Sequence, residues 1–177
     1  SLSALRSRVG LVFQNPDAQL FSASVLEDVS FGPMNMGLPL DEVRRRVEES
    51  LRVVGMREMS VKPAHALSYG QKKRVCIAGV LAMRPELLIL DEPMAGLDVA
   101  MQQELLAVLD GLHASGISVV IATHDIDFAY QWADRICLLE KGRCKAAWET
   151  QLLPQCLEEL SFSGVGVPRV AEIYRTL

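Results

Sequence analysis

The sequence predicts an α/β fold in which most strands of one sheet run parallel. The apolar run Leu87–Leu90 and the β-branched run Ile117–Ala122 each have the length and composition of a buried strand. Helical patterns lie before, between and after these runs, and such alternation favours parallel strands joined by crossover helices. The chain has 177 residues, half of them apolar, which is enough for one domain with a sizeable core.

The first half of the chain is predicted to contain one strand and one clear helix. Residues Arg8–Phe13 have the pattern of a strand that leads into a loop. Residues 22–37 are expected to form short helical turns and loops, because glycine and proline interrupt them. An amphipathic helix is predicted from Asp41 to a glycine stop at Gly55. Four residues form its apolar face: Val43, Val47, Leu51 and Val54.

The second half predicts alternating helices and strands. Ser68 is a suitable N-cap for a helix over Gln71–Met83, which Pro85 ends. The remaining predicted elements are helices at Val99–Ala114 and Ile126–Trp132, strands at Arg135–Leu139 and Arg143–Ala147, and a last helical stretch at Val170–Leu177.

Composition restricts the class of function. The net charge of −4 lacks the basic face that nucleic-acid binding needs, and the basic cluster Lys72–Arg74 is expected to be a solvated helix surface. No apolar run approaches the roughly 18–20 residues that cross a bilayer, so a cytoplasmic protein is expected. The four cysteines lack the spacing of a zinc site, and Cys76 and Cys137 are expected to be buried thiols.

Polar residues follow both predicted strands. Asp91 and Glu92 stand directly after Leu87–Leu90, and His124 stands just after Ile117–Ala122. Ligands of open α/β sheets bind outside the carboxyl ends of the strands, so chemistry is expected there. A carboxylate oxygen of Asp91 is a suitable ligand for a nucleotide-bound Mg²⁺ ion, and Glu92 would orient or deprotonate an attacking water. The ordinary alternative is a pair of solvated carboxylates and a structural histidine.

Five short motifs occur in an order that is typical of one family. They are Val9–Pro16 around a glutamine, Leu67–Val75 with the sequence Leu-Ser-Tyr-Gly-Gln, the strand Leu87–Pro93, the segment Ala95–Asp98, and Thr123–Asp125. In that order they resemble the glutamine loop, signature motif, Walker B strand, D-loop and switch histidine of an ATP-binding-cassette (ABC) ATPase. The resemblance extends from the first residues to about Lys145. It implies a P-loop NTPase-like nucleotide-binding domain that uses ATP and Mg²⁺.

The resemblance assigns roles within one ATP site. Glu92 and His124 correspond to the catalytic residues, the first polarising water and the second contacting the γ-phosphate. Gln14 and Asp91 correspond to residues that bind the nucleotide and Mg²⁺. A solvated loop glutamine is the ordinary alternative for Gln14.

A second set of residues is assigned to a dimer interface. In the family the signature motif, here Ser68, Gly70 and Gln71, closes over the ATP of a second ATPase subunit, and Asp98 lies in the D-loop at that interface. Free N–H groups at a helix N-terminus favour an anion, although an ordinary capped helix would need only the serine. Tyr69 replaces the commonest first glycine of the motif and is expected to be tolerated with its side chain pointing outward.

The resemblance also predicts the domain organisation. Residues 1–148 correspond to a partial ABC ATPase domain, with a helical subdomain at about residues 22–84, and residues 149–177 correspond to a C-terminal tail. The phosphate-loop motif Gly-x-x-x-x-Gly-Lys-[Ser/Thr], which the family has upstream of the glutamine loop, does not occur in these residues. We therefore expect a fragment of a longer product, without the N-terminal strands and inactive alone. The alternative is a shortened protein that lost its own loop.

The wording around the motifs is similar to the ATPases of energy-coupling-factor (ECF) importers, in particular the cobalt-uptake branch. This implies a peripheral subunit on the cytoplasmic face of the membrane, paired with a second ATPase subunit as a homo- or heterodimer. Its other partners would be a transmembrane coupling protein and a substrate-binding membrane protein. Cobalt is the first expected substrate, nickel the second and a vitamin the third. The alternatives are a non-transport ABC protein and a non-hydrolysing regulatory subunit.

Overall fold

The computed structural model describes residues 5, 8–155 and 168. The chain forms two compact units, residues 1–122 and 123–177. The predicted helical stretch at residues 170–177 lies outside the described residues. No helix within the described part of the chain combines the length and apolar character that crossing a bilayer requires.

The first unit contains a parallel sheet of three strands. The strands are β1 (Val9–Val12), β2 (Leu87–Asp91) and β3 (Ser118–Ala122). They lie in the order β1-β2-β3, with β2 in the centre. Val12 lies opposite Leu90, and Asp91 lies opposite Ala122. The predicted parallel sheet is confirmed, with bounds that differ from the prediction by one or two residues.

Four helices with bounds inside residues 8–122 belong to the same unit. They are α1, Val25–Asn35, α2, Leu40–Val53, α3, Tyr69–Leu81, and α4, Val99–Ala114. Short 3₁₀ turns occur at Pro16–Ala18, Arg57–Met59 and Ala64–Ala66. The face predicted for α2 is confirmed, since all four of its apolar residues are buried. Gly55 ends that helix with a φ angle of +67°.

Helix α1 differs from its prediction as short turns and loops. Ser24 caps its first turn by accepting a hydrogen bond from the Glu27 N–H at 3.3 Å. The glycine and proline expected to interrupt it, Gly32 and Pro33, lie inside its last turns. A Cβ at Gly32 would meet the Met83 side chain at 2.7 Å, so the missing side chain allows close packing after α3. Tertiary burial, which the local pattern does not report, therefore sustains α1.

Strand β3 is less buried than predicted. Its residues alternate between exposed and half-buried, and Val120 is 48% exposed. The reason is its place at one edge of the described sheet, whereas Leu88 and Leu90 of the central strand are fully buried. Helix α4 packs against β3 and buries three leucines, Leu105, Leu109 and Leu112.

The described residues of the second unit form one helix and a β-hairpin. Helix α5, Ile126–Trp132, precedes β4, Arg135–Glu140, and β5, Arg143–Glu149. The two strands are antiparallel, and a 3₁₀ segment follows at Thr150–Gln155. Trp148 is the buried centre of this unit, packed against Ile126, Tyr130, Ile136, Leu138 and Ala146. Cys137 is exposed on β4, so its predicted burial was wrong, because it lies on the face of β4 opposite Ile136 and Leu138.

Candidate functional site

The carboxyl edge of the parallel sheet brings Gln14 and Asp91 to the same side of the molecule. Gln14 lies two residues beyond the end of β1, and Asp91 is the last residue of β2. Neighbouring strands of a sheet lie about 4.8 Å apart, and Val12 is paired with Leu90, so both residues leave the sheet together. Both side chains are exposed. Gln14 offers a neutral amide oxygen and Asp91 a carboxylate oxygen, and Mg²⁺ prefers hard oxygen ligands of this type.

Glu92 has an unusual backbone conformation. Its φ angle is +43°, a left-handed value that costs a non-glycine residue about 1–2 kcal/mol. Its N–H donates to the carbonyl of Ala122 at 2.9 Å, which extends the ladder between β2 and β3 by one residue. Its own carbonyl accepts from the Ala95 N–H at 3.2 Å. The residue is half-buried. Hydrogen bonds to its N–H and to its carbonyl hold the backbone in this unfavourable conformation.

Lys73 of α3 holds the loop after Glu92. Its ammonium donates to the carbonyls of Glu92 at 3.0 Å, Pro93 at 2.7 Å and Ala95 at 3.0 Å. The residue is 3% exposed, and burial lowers the pKa of the ammonium, with the Glu92 carboxylate acting in the opposite direction. The expectation of a solvated basic surface was wrong for Lys73. Its spacing from Cys76 and Val80, which places all three on one helix face, was the signal that could have identified it.

The N-terminus of α3 is closed by reciprocal hydrogen bonds. Ser68 Oγ accepts from the Gln71 N–H at 3.3 Å, and Gln71 Oε1 accepts from the Ser68 N–H at 3.0 Å. This is a complete capping box, which gives Gln71 as well as Ser68 a structural task. The predicted N-cap is confirmed, while the phosphate-facing role of these residues stays a prediction.

Gly70 lies in a crowded position beside α4. A Cβ added there would meet Met101 Sδ at 3.0 Å and Leu97 Cδ2 at 3.5 Å. Next to it is a cleft of about 190 Å³ that Ser68, Gln71, Arg74 and Glu104 also line. Arg74 and Glu104 form an ion pair at 3.2 Å across this cleft. A side chain at this position would therefore require Met101 to shift, whatever the glycine contacts in a dimer.

Tyr69 is 38% exposed, and the rest of its side chain contacts neighbouring segments. Its hydroxyl donates to the Gln14 carbonyl at 3.3 Å. Its ring lies 5.3 Å from the Lys73 ammonium, a cation–π distance, and packs against Gly96. This side chain therefore contacts the glutamine loop, the lysine of its own helix and the loop before Asp98.

Asp98 caps helix α4. Its Oδ1 accepts from the Met101 N–H at 2.8 Å, and its side chain is otherwise exposed. The loop before it is tied by Gln102, whose Nε2 donates to the Leu97 carbonyl at 3.3 Å. The D-loop role predicted for Asp98 stays a prediction beside this capping function.

His124 lies in the second unit, at the turn that begins α5. The turn is formed by Asp125, whose N–H donates to Thr123 Oγ1 at 3.1 Å and whose Oδ1 accepts from the Phe128 N–H at 2.9 Å. His124 is exposed within this capped turn, which fixes its backbone. Its catalytic role stays a prediction.

An apolar cleft of about 580 Å³ lies along α1 and α3. Its lining includes Phe21, Phe31, Met36, Cys76, Val80 and Met83. Burial raises the pKa of the Cys76 thiol to about 12, so this cysteine is an inert apolar wall, as predicted. Asp28 Oδ1 accepts from the N–H groups of Phe21 and Ser22, whereas its buried Oδ2 has no hydrogen-bond partner in the described part of the chain.

No cluster of three histidine, cysteine or acidic side chains capable of holding a metal occurs within residues 8–155. A bound Mg²⁺ would therefore depend on few protein ligands, and the oxygens of Asp91 and Gln14 fit that requirement in chemical type. Mg²⁺ is usually held by one or two carboxylates together with substrate phosphates, so this pairing is compatible with such a site.

Comparison with known proteins gives a consistent result. Residues 1–95 match the family described as ABC transporter. EcfA, the energy-coupling factor transporter ATP-binding protein of Carboxydothermus hydrogenoformans, is 44% identical over 176 residues, 98% of this chain and 64% of the relative. The cobalt import ATP-binding protein CbiO of Rhodobacter capsulatus is 47% identical over 172 residues, 97% of this chain and 61% of the relative.

A solved structure is also similar. CbiO1 from Clostridium perfringens, described as part of the ABC transporter complex CbiONQ, superposes with a TM-score of 0.80 at 43% identity, covering 98% of this chain and 70% of that one. This likeness confirms the predicted α/β, P-loop NTPase-like fold class. The chain spans less than two thirds of the length of the curated relatives that it matches.

Proposed function

The chain belongs to the ABC transporter ATP-binding family, and on this basis we propose that it is an ATP-hydrolysing subunit of an ECF-type importer. The observation that carries the proposal is the fixed position of Glu92 beside Asp91 at the carboxyl edge of the sheet. Residue Glu92 is held in a left-handed conformation by the Ala122 carbonyl on one side and by Lys73 on the other. A strained residue that is fixed in this way is typical of a catalytic position.

The proposed chemistry depends on positioning. Glu92 would orient the water that attacks the γ-phosphate, and His124 would donate to the phosphate oxygens as their charge develops. Asp91 and Gln14 are the residues that would hold a Mg²⁺ ion, which would supply positive charge to stabilise the phosphate oxygens. The tight loop behind Glu92 limits the freedom of its carboxylate and thereby lowers the entropic cost of reaching the attack geometry.

We further propose that two ATPase subunits act together. Ser68, Gly70 and Gln71 would approach the ATP held by a second subunit, with the N–H groups of the α3 N-terminus facing the phosphate. The closed capping box supports a fixed rather than flexible N-terminus, and Asp98 at the start of α4 lies in the adjoining segment. The second subunit would be either a copy of this chain or a related ATPase.

The membrane partner is proposed to bind along α1 and α3. The apolar cleft there has exposed aromatic and methionine side chains at its rim, namely Phe21, Phe31 and Met36. An apolar surface of this kind on a helical layer suits a helix of a transmembrane coupling protein. The protein would then act as a peripheral subunit on the cytoplasmic face of the membrane, with substrate bound by another membrane component.

The proposed hydrolysis is tested by Glu92→Gln in the protein isolated from its native source. ATP binding should persist, because the substitution keeps the size of the side chain, while kcat should fall by about a hundredfold or more. Glu58→Gln is the matched control, since Glu58 is an exposed carboxylate on the 3₁₀ turn that follows α2. Unchanged turnover in E92Q would remove Glu92 from the proposed role. ATP binding without hydrolysis in the parent would instead favour the regulatory alternative.

Cobalt is proposed as the transported ion, supported by the similarity to a relative named as a cobalt import ATP-binding protein. The relative from Carboxydothermus hydrogenoformans carries the general EcfA name, so nickel and vitamins are the alternatives to be tested. Uptake into vesicles that contain the isolated transporter should be ATP-dependent for Co²⁺ and weaker for Ni²⁺. ATP-dependent uptake of a vitamin in place of either metal would overturn the cobalt assignment while leaving the ATPase role intact.

A further inference from the structure

Lys73 and Tyr69 connect three segments to which separate roles have been assigned. We propose that Lys73 is a positioning residue that sets the orientation of Glu92, and that Tyr69 extends the same support to the Gln14 loop. This inference rests on the proposed function, because it assigns to Lys73 an effect on the hydrolysis step. Neither side chain needs to touch ATP to have that effect.

The hydrogen-bonding capacity of Lys73 is fully used by one loop. An ammonium group has three protons, and three carbonyls accept from it at 2.7–3.0 Å. All three carbonyls belong to residues 92–95. A buried lysine is normally neutralised by a carboxylate, whereas here the direct ligands are backbone oxygens. The group therefore acts as a three-way clamp on the loop, in a position that is 3% exposed.

The clamp acts on a residue whose backbone conformation is strained. Glu92 has a φ angle of +43°, and its carbonyl is one of the three that Lys73 binds. The opposite side of the residue is fixed by its N–H bond to Ala122. Loss of the ammonium would remove one of the hydrogen bonds to this carbonyl, which also accepts the turn bond from Ala95 at 3.2 Å. The left-handed conformation would then relax, and the carboxylate would lose its direction.

Tyr69 connects this clamp to the glutamine loop. Its ring covers Lys73 at 5.3 Å, and its hydroxyl bonds the Gln14 carbonyl at 3.3 Å. Both residues lie within one turn of α3, directly after the N-cap Ser68. A displacement of the Gln14 loop would therefore be transmitted through the Tyr69 ring to the residues that hold Glu92. Glycine at this position would remove the connection.

The first test compares Lys73→Met with Lys73→Gln. Both substitutions remove the charge at similar length, but only glutamine retains N–H donors for the carbonyls. We expect kcat for ATP hydrolysis to fall about ten- to a hundredfold in K73M with little change in KM, and less in K73Q. Lys72→Met is the matched control, because the ammonium of this neighbouring lysine bonds Asp17 instead, at 2.7 Å.

The second test does not depend on catalysis. Hydrogen exchange at the amides of Ala95 and Leu97 reports on the loop directly, since both donate within it. Without nucleotide, K73M should exchange on the order of tenfold faster at these amides, with K73Q intermediate and K72M unchanged. Tyr69→Phe keeps the ring over Lys73 and removes only the bond to Gln14. It should accelerate exchange near Asn15 and leave Ala95 unaffected.

The outcomes separate the inference from the proposed function. A parent protein that hydrolyses no ATP would overturn the proposed function. A hydrolysing parent in which K73M keeps its kcat and its exchange at Ala95 would overturn the inference alone. Equal loss in K73M and K73Q, with faster exchange throughout α3 and β2, would also overturn it, because Lys73 would then support general folding and not the position of Glu92.

Discussion

The N-terminus of α3 and the carboxyl end of β2 are both proposed to act on the phosphates of ATP, but they are stabilised in opposite ways. The first is closed by two hydrogen bonds between Ser68 and Gln71, residues three positions apart. The second is held by residues distant in sequence, Lys73 from α3 and Ala122 from β3. One depends on residues within a single helical turn, and the other depends on contacts that exist only when the unit has folded.

Hydrogen bonds between near neighbours can be predicted from the sequence, whereas those between distant residues cannot. The capping box could be predicted at Ser68, because its partners and spacing are written in adjacent residues. The left-handed conformation of Glu92 could not, because no local pattern requires it. The same distinction applies to α1 and to β3. Gly32 and Pro33 were expected to interrupt α1 on local grounds alone. The exposure of β3 depends on its place in the sheet.

The largest expected effect tests how local the α3 terminus is. Gly70→Val should lower the free energy of unfolding by about 1–3 kcal/mol, because the added side chain meets Met101 Sδ within 3.0 Å. Gly111→Ala is the control, since a Cβ there meets nothing within 4 Å, and it should stabilise α4 by about 0.5–1 kcal/mol. Urea denaturation measures both. Equal stability of G70V and the parent would show that α4 does not restrict this terminus.

The next effect tests the local closure itself. Ser68→Ala should cost about 1 kcal/mol, because the Gln71 N–H loses its acceptor in the first turn. The double variant with Gln71→Ala should cost less than the sum of the two single changes, since the two bonds support one another. Denaturation of the three variants completes this cycle. Strict additivity would mean that the reciprocal bonds form independently.

The third effect tests the strain at the end of β2. Glu92→Gly should raise the free energy of unfolding by about 0.5–1 kcal/mol, because glycine adopts a φ of +43° without the steric cost, partly offset by its greater freedom when unfolded. Glu92→Gln retains the strain and removes the carboxylate charge near Lys73, so the difference in stability between the two variants reports on the conformation. Thermal unfolding of both variants compares them. A destabilised E92G would show that the side chain contributes more than the conformation costs.

The smallest effect extends the comparison to a second local network, on α2. Glu42 bonds Arg45 at 2.7 Å and Arg46 at 2.6 Å, and these guanidinium groups lower its pKa to about 2. A lowered pKa in the folded state contributes stability above the ordinary value of 4.5 and loses it as the pH falls toward 2. The Tm difference between parent and Glu42→Gln should therefore shrink over that range. Exposure keeps the effect small, and a pH-independent difference would contradict it.

Much of the fold was predictable from periodicity. The helices α2, α3, α4 and α5 and the five strands among the described residues were expected within one or two residues, from apolar patterns and from capping and stop residues. The residues of the candidate site were named from the motifs and their roles stay predictions, and the residue that clamps Glu92 was not among them. Lys73 was interpreted by its charge, whereas its spacing from Cys76 and Val80 had already placed it on the buried face.

The pairing of β1 with β2 also sets an order in time. Arg8 and Glu86, which form an ion pair beside these strands, are 78 positions apart, and α1, α2 and α3 lie between them. At ribosomal rates of about 5–20 residues per second, β1 waits roughly 4–16 seconds for its partner to be synthesised. The helices form from near neighbours during that interval, before β2 is available to β1. The pairing of β1 with β2 is therefore completed later than the helices that separate the two strands.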